Sequence, residues 1–434
     1  MYLRGSKWSM NRRRKRTNWF NIVILSLLVL GGAYVNRYVV PNVQPIGVPT
    51  STPTRPPESY ITEAQQYFDN GKLLQAIDAY QQAIAAQPDD AATYVALAQV
   101  QVWAGQYADA QKSAENALLL NTNNSMAHAV RAWALDFQGN YLEAEAAVKQ
   151  AIDLDANNGI AHAHYAEILI DSGSFDNIQK AIDQANMALA LAPNSIEAHR
   201  ARGYVLENTA NYEDAIKQYN QAIQINSKIA DLHMALGRNY KALGVYDQAI
   251  AEFQQADALN PADPNPLLYI SRTYATVGEY AKAVQYAESA VKNGPTDPYL
   301  RGNLGVMYYR NVQWPDALQQ LSLVVNGGTS SDGYAIKALP LTSTDSRVSE
   351  YYFTYGLALA RLNRCGEALQ IAQLIVDRVP SDEIAVANAN DVVNTCRNNL
   401  NATPTPLLST PGAETVPSET PTPQAETPTP QATP

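Results

Sequence analysis

Residues 230–263 read ADLHMALGRNYKALGVYDQAIAEFQQADALNPAD, and these 34 residues decide the fold. Leu236, Gly237 and Tyr240 lie in a first helical run, Gly244 and Tyr246 mark a turn, and Ala249, Phe253 and Ala256 lie in a second run closed by Pro261. Working outward, Ala249 belongs to the series Ala76, Ala110, Ala144, Ala181, Ala215, Ala249, Ala283, Ala317 and Ala368. The spacing in that series is 34, with one interval of 37 and a last one of 51. A second small-residue series runs through Ala83, Ala117, Ala151, Ala188, Ala222, Ala256 and Ala290. A third keeps Ala64, Ala98, Ala132, Ala166, Gly203, Gly237, Ser271, Gly305 and Gly356. Small residues in three registers mark where paired helices cross, so the chain reads as an all-α solenoid of stacked helical hairpins.

On these residues the chain resembles the tetratricopeptide-repeat (TPR) family over residues 57–400. Turn residues Gly71, Gly105, Gly139, Gly173 and Gly278 and closing residues Pro88, Pro193, Pro295 and Pro380 extend the likeness to other units. Thr122, Ala156, Ser227 and Thr329 depart from it. The resemblance implies a right-handed superhelix of nine helix-turn-helix repeats, starting near Pro57, Ala91, Ser125, Gly159, Ile196, Ala230, Pro264, Pro298 and Ser349. Repeats one to eight occupy residues 57–331 and repeat nine residues 349–382, with a capping helix over 383–401. Unit four gains three residues near Ser174–Gln179, which lengthens its turn. The interval of 51 leaves residues 332–348 as an inserted loop, either functional or a tolerated surface insertion.

Both flanks differ from the repeats. Residues 1–40 carry eight Lys/Arg and no acid, leaving 23 basic against 41 acidic residues in the remainder. That acidic body would repel a phosphate backbone, so nucleic acid is not an expected partner. The basic segment 1–18, with Arg12–Arg16, precedes an apolar stretch within 19–40 that is closed by Arg37. Read as a transmembrane signal anchor, this arrangement keeps the N-terminus cytoplasmic and places the repeats outside, on a single-pass protein of the cell membrane. A cleaved signal peptide and a buried soluble helix are the competing readings. Residues 41–56 form a Pro-rich linker expected to be extended, and the Thr/Pro-rich tail 402–434 cannot bury a core.

No phosphate loop, dinucleotide fingerprint or catalytic signature is present, and the expectation is a non-enzyme without cofactor or metal. His128, His162, His199 and His233 share position 4 of units three to six, which suggests a metal ladder. Neighbouring hairpins about 10 Å apart cannot share ligation at about 2 Å, so these read as packing imidazoles. A stripe at positions 2, 5, 9, 12 and 13 of each first helix lines the concave surface, by resemblance to the family. It places Trp103, Trp133 and Phe137 in units two and three, then Glu167, Asp171 and Glu207 in units four and five. Arg200, Tyr204, Arg238, Lys241 and Arg272 follow, and Tyr299, Tyr309, Arg310 and Arg361 continue toward the C-terminus. Arg and Tyr are favoured in binding hot spots, so the stripe is the candidate groove for a protein or peptide; ordinary solvated helix faces are the alternative. The family's carboxylate clamp for chaperone tails is not reproduced.

Cys365 falls at phase 17 of unit nine and Cys396 at phase 14 of the next period. Those phases meet in stacked hairpins, which predicts a disulfide pinning the last helix; two small residues filling gaps is the other reading. Three function classes follow. They are an exocytoplasmic interaction scaffold at a bacterial-type envelope, a recognition or assembly subunit of an envelope glycosyltransferase or protease, and a structural spacer.

Overall fold

The computed structural model describes residues 18–35, 37 and 55–401. The basic segment before residue 18, nearly all of the Pro-rich linker and the tail from residue 402 lie outside the described residues. Helix α1 (Trp19–Tyr34) has 16 residues, or about 24 Å at 1.5 Å per residue against a hydrocarbon core of about 30 Å. Among the described residues no helix is long and apolar enough to cross a membrane.

Nine hairpins follow among the described residues. Units one to three are α2 (Pro57–Asp69) and α3 (Leu73–Ala86), α4 (Ala91–Trp103) and α5 (Tyr107–Leu120), and α6 (Ser125–Asp136) and α7 (Tyr141–Leu154). Units four to six are α8 (Gly159–Asp171) and α9 (Ile178–Leu191), α10 (Ile196–Asn208) and α11 (Tyr212–Ile225), and α12 (Ala230–Ala242) and α13 (Tyr246–Leu259). Units seven to nine are α14 (Asn265–Thr276) and α15 (Tyr280–Asn293), α16 (Pro298–Arg310) and α17 (Trp314–Asn326), and α18 (Ser346–Arg361) and α19 (Cys365–Arg378). Helix α20 (Glu383–Asn401) packs on α18 and α19 and buries Ala385, Ala389, Val392 and Cys396. The three extra residues of unit four form one 3₁₀ turn, Phe175–Asn177.

Most first helices are capped by a side chain that the sequence supplies, α2, α12 and α14 being the exceptions. Asp90, Asn124, Asn158, Ser195 and Asp297 each accept a backbone N–H of the first turn. Within hairpins five, six and eight, the glycine of the third series faces a large side chain sixteen residues on, Tyr219, Phe253 and Leu321 in turn. A Cβ on Gly237 would lie 2.5 Å from the ring of Phe253, which is itself fully buried. Only a missing side chain lets the helices approach that closely.

Most successive first helices pack on one another, α2 with α4 and α12 with α14 excepted, whereas successive second helices make no comparable contact, so the array curls with first helices inside. The curl is tight. Phe68 and Trp103, from units one and two, pack on Leu206, Ile229 and Leu232 at the junction of units five and six.

The insertion departs from a plain loop. β1 (Gly328–Thr329) pairs antiparallel with β2 (Ala335–Ile336), and α18 starts at Ser346 rather than at Ser349. The cause of the early start is Asp345, whose carboxylate accepts from the backbone N–H groups of Arg347 and Val348. Arg301 then ties the hairpin down. It is 2% exposed and donates to Pro295 O at 2.9 Å, Ser330 Oγ at 3.3 Å and both Asp332 oxygens at 3.2 Å.

The inter-helix turns need a left-handed residue, and most units use glycine there. Unit eight places Val312 in that conformation at φ 65°, with its side chain 65% exposed. A β-branched residue pays in strain for this backbone and gains no packing in return. Val312→Gly is therefore expected to raise stability by about 1 kcal/mol after the added unfolded-chain entropy. Urea unfolding of the two proteins checks this, and an unchanged or lower midpoint would remove strain as the explanation.

Candidate functional site

The curl brings the aromatic and basic parts of the inner stripe together around one side chain. Trp103 meets Trp133 edge to face at 4.9 Å, and Phe137 stacks on Tyr107 at 4.7 Å. The Arg200 guanidinium lies over the rings of Trp103, Trp133 and Phe137 at 5.6, 5.7 and 5.5 Å. It also pairs with Glu167, which is 3% exposed, and with Asp231 at 2.7 Å. His164 closes the cluster by stacking on Trp133 at 4.4 Å. Its burial, followed by the nearby Arg200 charge, pulls its pKa down to about 3, so this imidazole is neutral.

Toward the middle of the array the stripe is saturated with partners. Arg238 donates to Glu207 at 2.8 Å, the Tyr219 hydroxyl to the same carboxylate at 2.9 Å, and the Tyr204 hydroxyl to Asp171. A cavity of about 370 Å³ opens there between Phe137, Asp171, Tyr204, Glu207 and Tyr269. A second cavity of about 490 Å³, lined by Trp103, Tyr107, Asp263 and Asn265, adjoins it through Asp231, Arg238 and Tyr269.

Acid outweighs base at one end of this region. Asp136 is 4% exposed and stands beside Asp171 and Glu167. Burial first, then those two carboxylates, push its pKa up to about 9, so it holds a proton at neutral pH. Burial likewise raises Glu167 to about 7 against the opposing pull of Arg200.

Beyond unit six the inner face is more open. Lys241 and Arg272 are half-buried, and Arg272 Nε donates to Asn303 Oδ1 at 3.0 Å. The Tyr299 hydroxyl donates to Asp345 at 2.9 Å, Tyr309 packs half-buried on the core, and Arg310 pairs with Glu350 at 3.2 Å. The Arg361 guanidinium lies 5.9 Å from the Trp314 ring centre.

Tetratricopeptide-repeat models match residues 67–134, 130–196, 230–263 and 270–331, and a TPR-repeat model matches residues 211–244. The chain is a tetratricopeptide-repeat protein. Among solved structures it is similar to that of MamA, at 24% identity over 37% of this chain and 92% of that one, with a TM-score of 0.32. It is also similar to a tetratricopeptide-repeat protein of Parabacteroides merdae, at 17% identity over 58% of this chain and 98% of that one, with a TM-score of 0.39. No curated protein matches. Tetratricopeptide repeats are protein–protein interaction scaffolds.

Two readings of the repeats need correction. Trp133 is 1% exposed and Arg200 8%, so neither offers an open contact surface. The cause is the curl, which stacks units two, three and five around a single guanidinium. The position-4 histidines are hydrogen-bonded struts rather than mere packing. In units three to six each Nε2 bonds a carbonyl six residues upstream, at 2.9 to 3.2 Å. In units four to six Nδ1 also bonds a second-helix side chain, Gln184, Gln218 or Glu252. Arg301 makes the same upstream bond in unit eight. Asp136, Asp231, Asn303 and Arg347 escaped the sequence reading. A signal for two of them, Asp231 and Asn303, existed, since the pairs Arg200–Asp231 and Arg272–Asn303 span the same 31 residues as Glu207–Arg238.

Asp136 carries a pH signature. Its folded pKa of about 9 exceeds the ordinary 3.8, so folding takes up a proton. That contribution is complete at acid pH and is lost as pH rises toward 9. Asp136→Asn keeps the neutral shape at every pH. The stability of the variant relative to wild type should therefore grow between pH 5 and 8, by at most about 1.4 kcal/mol per pH unit. A constant offset would mean that Asp136 is ionised in the fold.

Proposed function

We propose that this protein is a membrane-anchored scaffold that holds a protein or peptide partner in its inner groove, on the exocytoplasmic side. The observation that supports this most is the pair of adjoining cavities on the first-helix face, bordered by tyrosines and charged side chains. Such a surface can orient a polypeptide through many polar contacts.

Placement outside the cytoplasm draws on two features. The charge around residues 19–35 is asymmetric, with Arg12–Arg16 preceding them. Cys365 and Cys396 are also bonded, with Cα atoms 5.4 Å apart, and such bonds persist in oxidising compartments. A bond closing 31 residues contributes roughly 3–4 kcal/mol by the loop-entropy estimate and holds α20 over the last repeat. A recognition or assembly subunit of an envelope enzyme would use the same groove, with the enzyme or its substrate as the partner.

A photo-crosslinking residue at Tyr269, where the cavities join, should capture a partner in native membranes. The same residue at Leu119, 82% exposed on a second helix, should not. Equal capture at both sites would move the interface off the groove. Protease added outside intact cells should remove residues 41–434 and spare an N-terminal stub, and intact mass before and after alkylation should show no free thiol. Protection of the repeats, or two free thiols, would overturn the exocytoplasmic placement.

A further inference from the structure

One geometric pair recurs along the groove, between position 12 of one first helix and position 9 of the next. In units three and four it is Asp136 with Glu167, and in units five and six it is Glu207 with Arg238, joined at 2.8 Å. In units six and seven the same positions hold Lys241 and Arg272. Where its neighbour carries a glutamate to neutralise the arginine, this pair sets lysine against arginine.

Among the described residues neither cation has an ion-pair partner. Among the described residues Lys241 has no hydrogen bond or ion pair, and Arg272 has only uncharged partners: Asn303, and the Tyr351 hydroxyl beside it. The Tyr351 proton goes elsewhere, to the Tyr299 carbonyl at 3.0 Å. Asn303 is itself buried and held by Ser271 at 3.2 Å. Arg347 adds a third positive charge facing both. The nearby Glu350 is taken by Arg347 at 3.3 Å and by Arg310 at 3.2 Å, and Asp345 accepts from Tyr299 and caps α18. Burial depresses the pKa of both, with Arg272 and Arg347 adding to it at Lys241, and Arg347 adding to it at Arg272 against a smaller pull from Glu350. Half-buried like charges without a counterion cost stability that the chain, with 41 acidic residues, could have recovered by one substitution.

We propose that Lys241 and Arg272, with Arg347 behind them, form a subsite for the carboxylates of an acidic, extended peptide segment of the partner. Two adjacent cations of different shape suit successive Asp or Glu side chains. The arginine fork takes one bidentately and the lysine ammonium the next. Tyr299, whose carbonyl accepts from the Tyr351 hydroxyl beside Arg272, adds exposed ring surface next to them. This inference rests on the scaffold reading and narrows the chemistry of its partner.

Lys241→Glu tests it with two readouts of opposite sign. The substitution recreates the Glu207–Arg238 arrangement one unit further on, so it should raise the melting temperature of the full-length protein. It should also weaken a fluorescent ten-residue Glu-Ala peptide at least tenfold in anisotropy titrations. Lys112→Glu, an exposed second-helix change of the same charge, should alter that affinity less than twofold. Equal loss in both variants, or no loss at Lys241, would overturn the subsite. So would a ten-residue oligothymidylate that binds as well as the peptide and is lost with the same substitution, since that would make it a phosphate site. Should Tyr269 capture a native partner whose recovery Lys241→Glu leaves unchanged, the scaffold reading stands and the acidic-segment inference falls.

Discussion

The closeness with which the two helices of a hairpin approach governs what every other layer of this molecule can do. At Gly237 the backbone of α12 lies against the ring of Phe253, and Gly203 and Gly305 meet Tyr219 and Leu321 in the same manner. A side chain at any of these points would push the helices apart, tilt one hairpin on the next and change the curvature summed over nine units. The position-4 struts reinforce the geometry from the outside of the crossing. Each ties the start of a first helix to the turn before it, and in three units to the following helix as well.

Curvature, in turn, decides which charges meet. Arg200 belongs to unit five, yet three rings from units two and three and carboxylates from units four and six surround it. Such a buried ion pair contributes little net stability but is costly to break, because one partner would be left charged and dry. It acts as a pin that holds the curl. The price is paid in availability: a guanidinium with five neighbours has nothing to offer a partner. Lys241 and Arg272, where no such closure occurs, keep their charge unspent.

The hairpin starts were legible because small residues at fixed phase leave a periodic trace, and each first helix from unit one to unit eight begins within one residue of that register. Unit nine was less legible. Its start depends on Asp345, a capping residue inside an aperiodic stretch, and a two-residue ladder leaves no alternation to read. Spacing put the groove residues on one stripe of the first helices and the family resemblance put that stripe on the concave side, but neither encoded their accessibility. Trp133 and Phe137 look equivalent in sequence, yet one is 1% exposed and the other 39%. Both rings lie under Arg200, but Trp133 is also enclosed by Trp103 and His164 of the adjacent units, whereas Phe137 caps its helix against Tyr107, a difference that a one-dimensional period does not encode. The pairing of inner charges lay nearer to hand, since a 31-residue offset between opposite charges is countable once the repeat is known.

The contact of units one and two with the junction of units five and six also sets a route. A trough open along one side admits a folded partner sideways, in a single collision. Here the first six units bend until their ends touch, so their interior is reached from its openings. A segment with a free end or a loose loop can enter by successive small displacements, whereas a rigid globular surface is turned away at the rim. Association should accordingly be paced by the partner's chain mobility rather than by encounter, and dissociation should require the same withdrawal. A groove closed in this way selects for the physical state of whatever enters it.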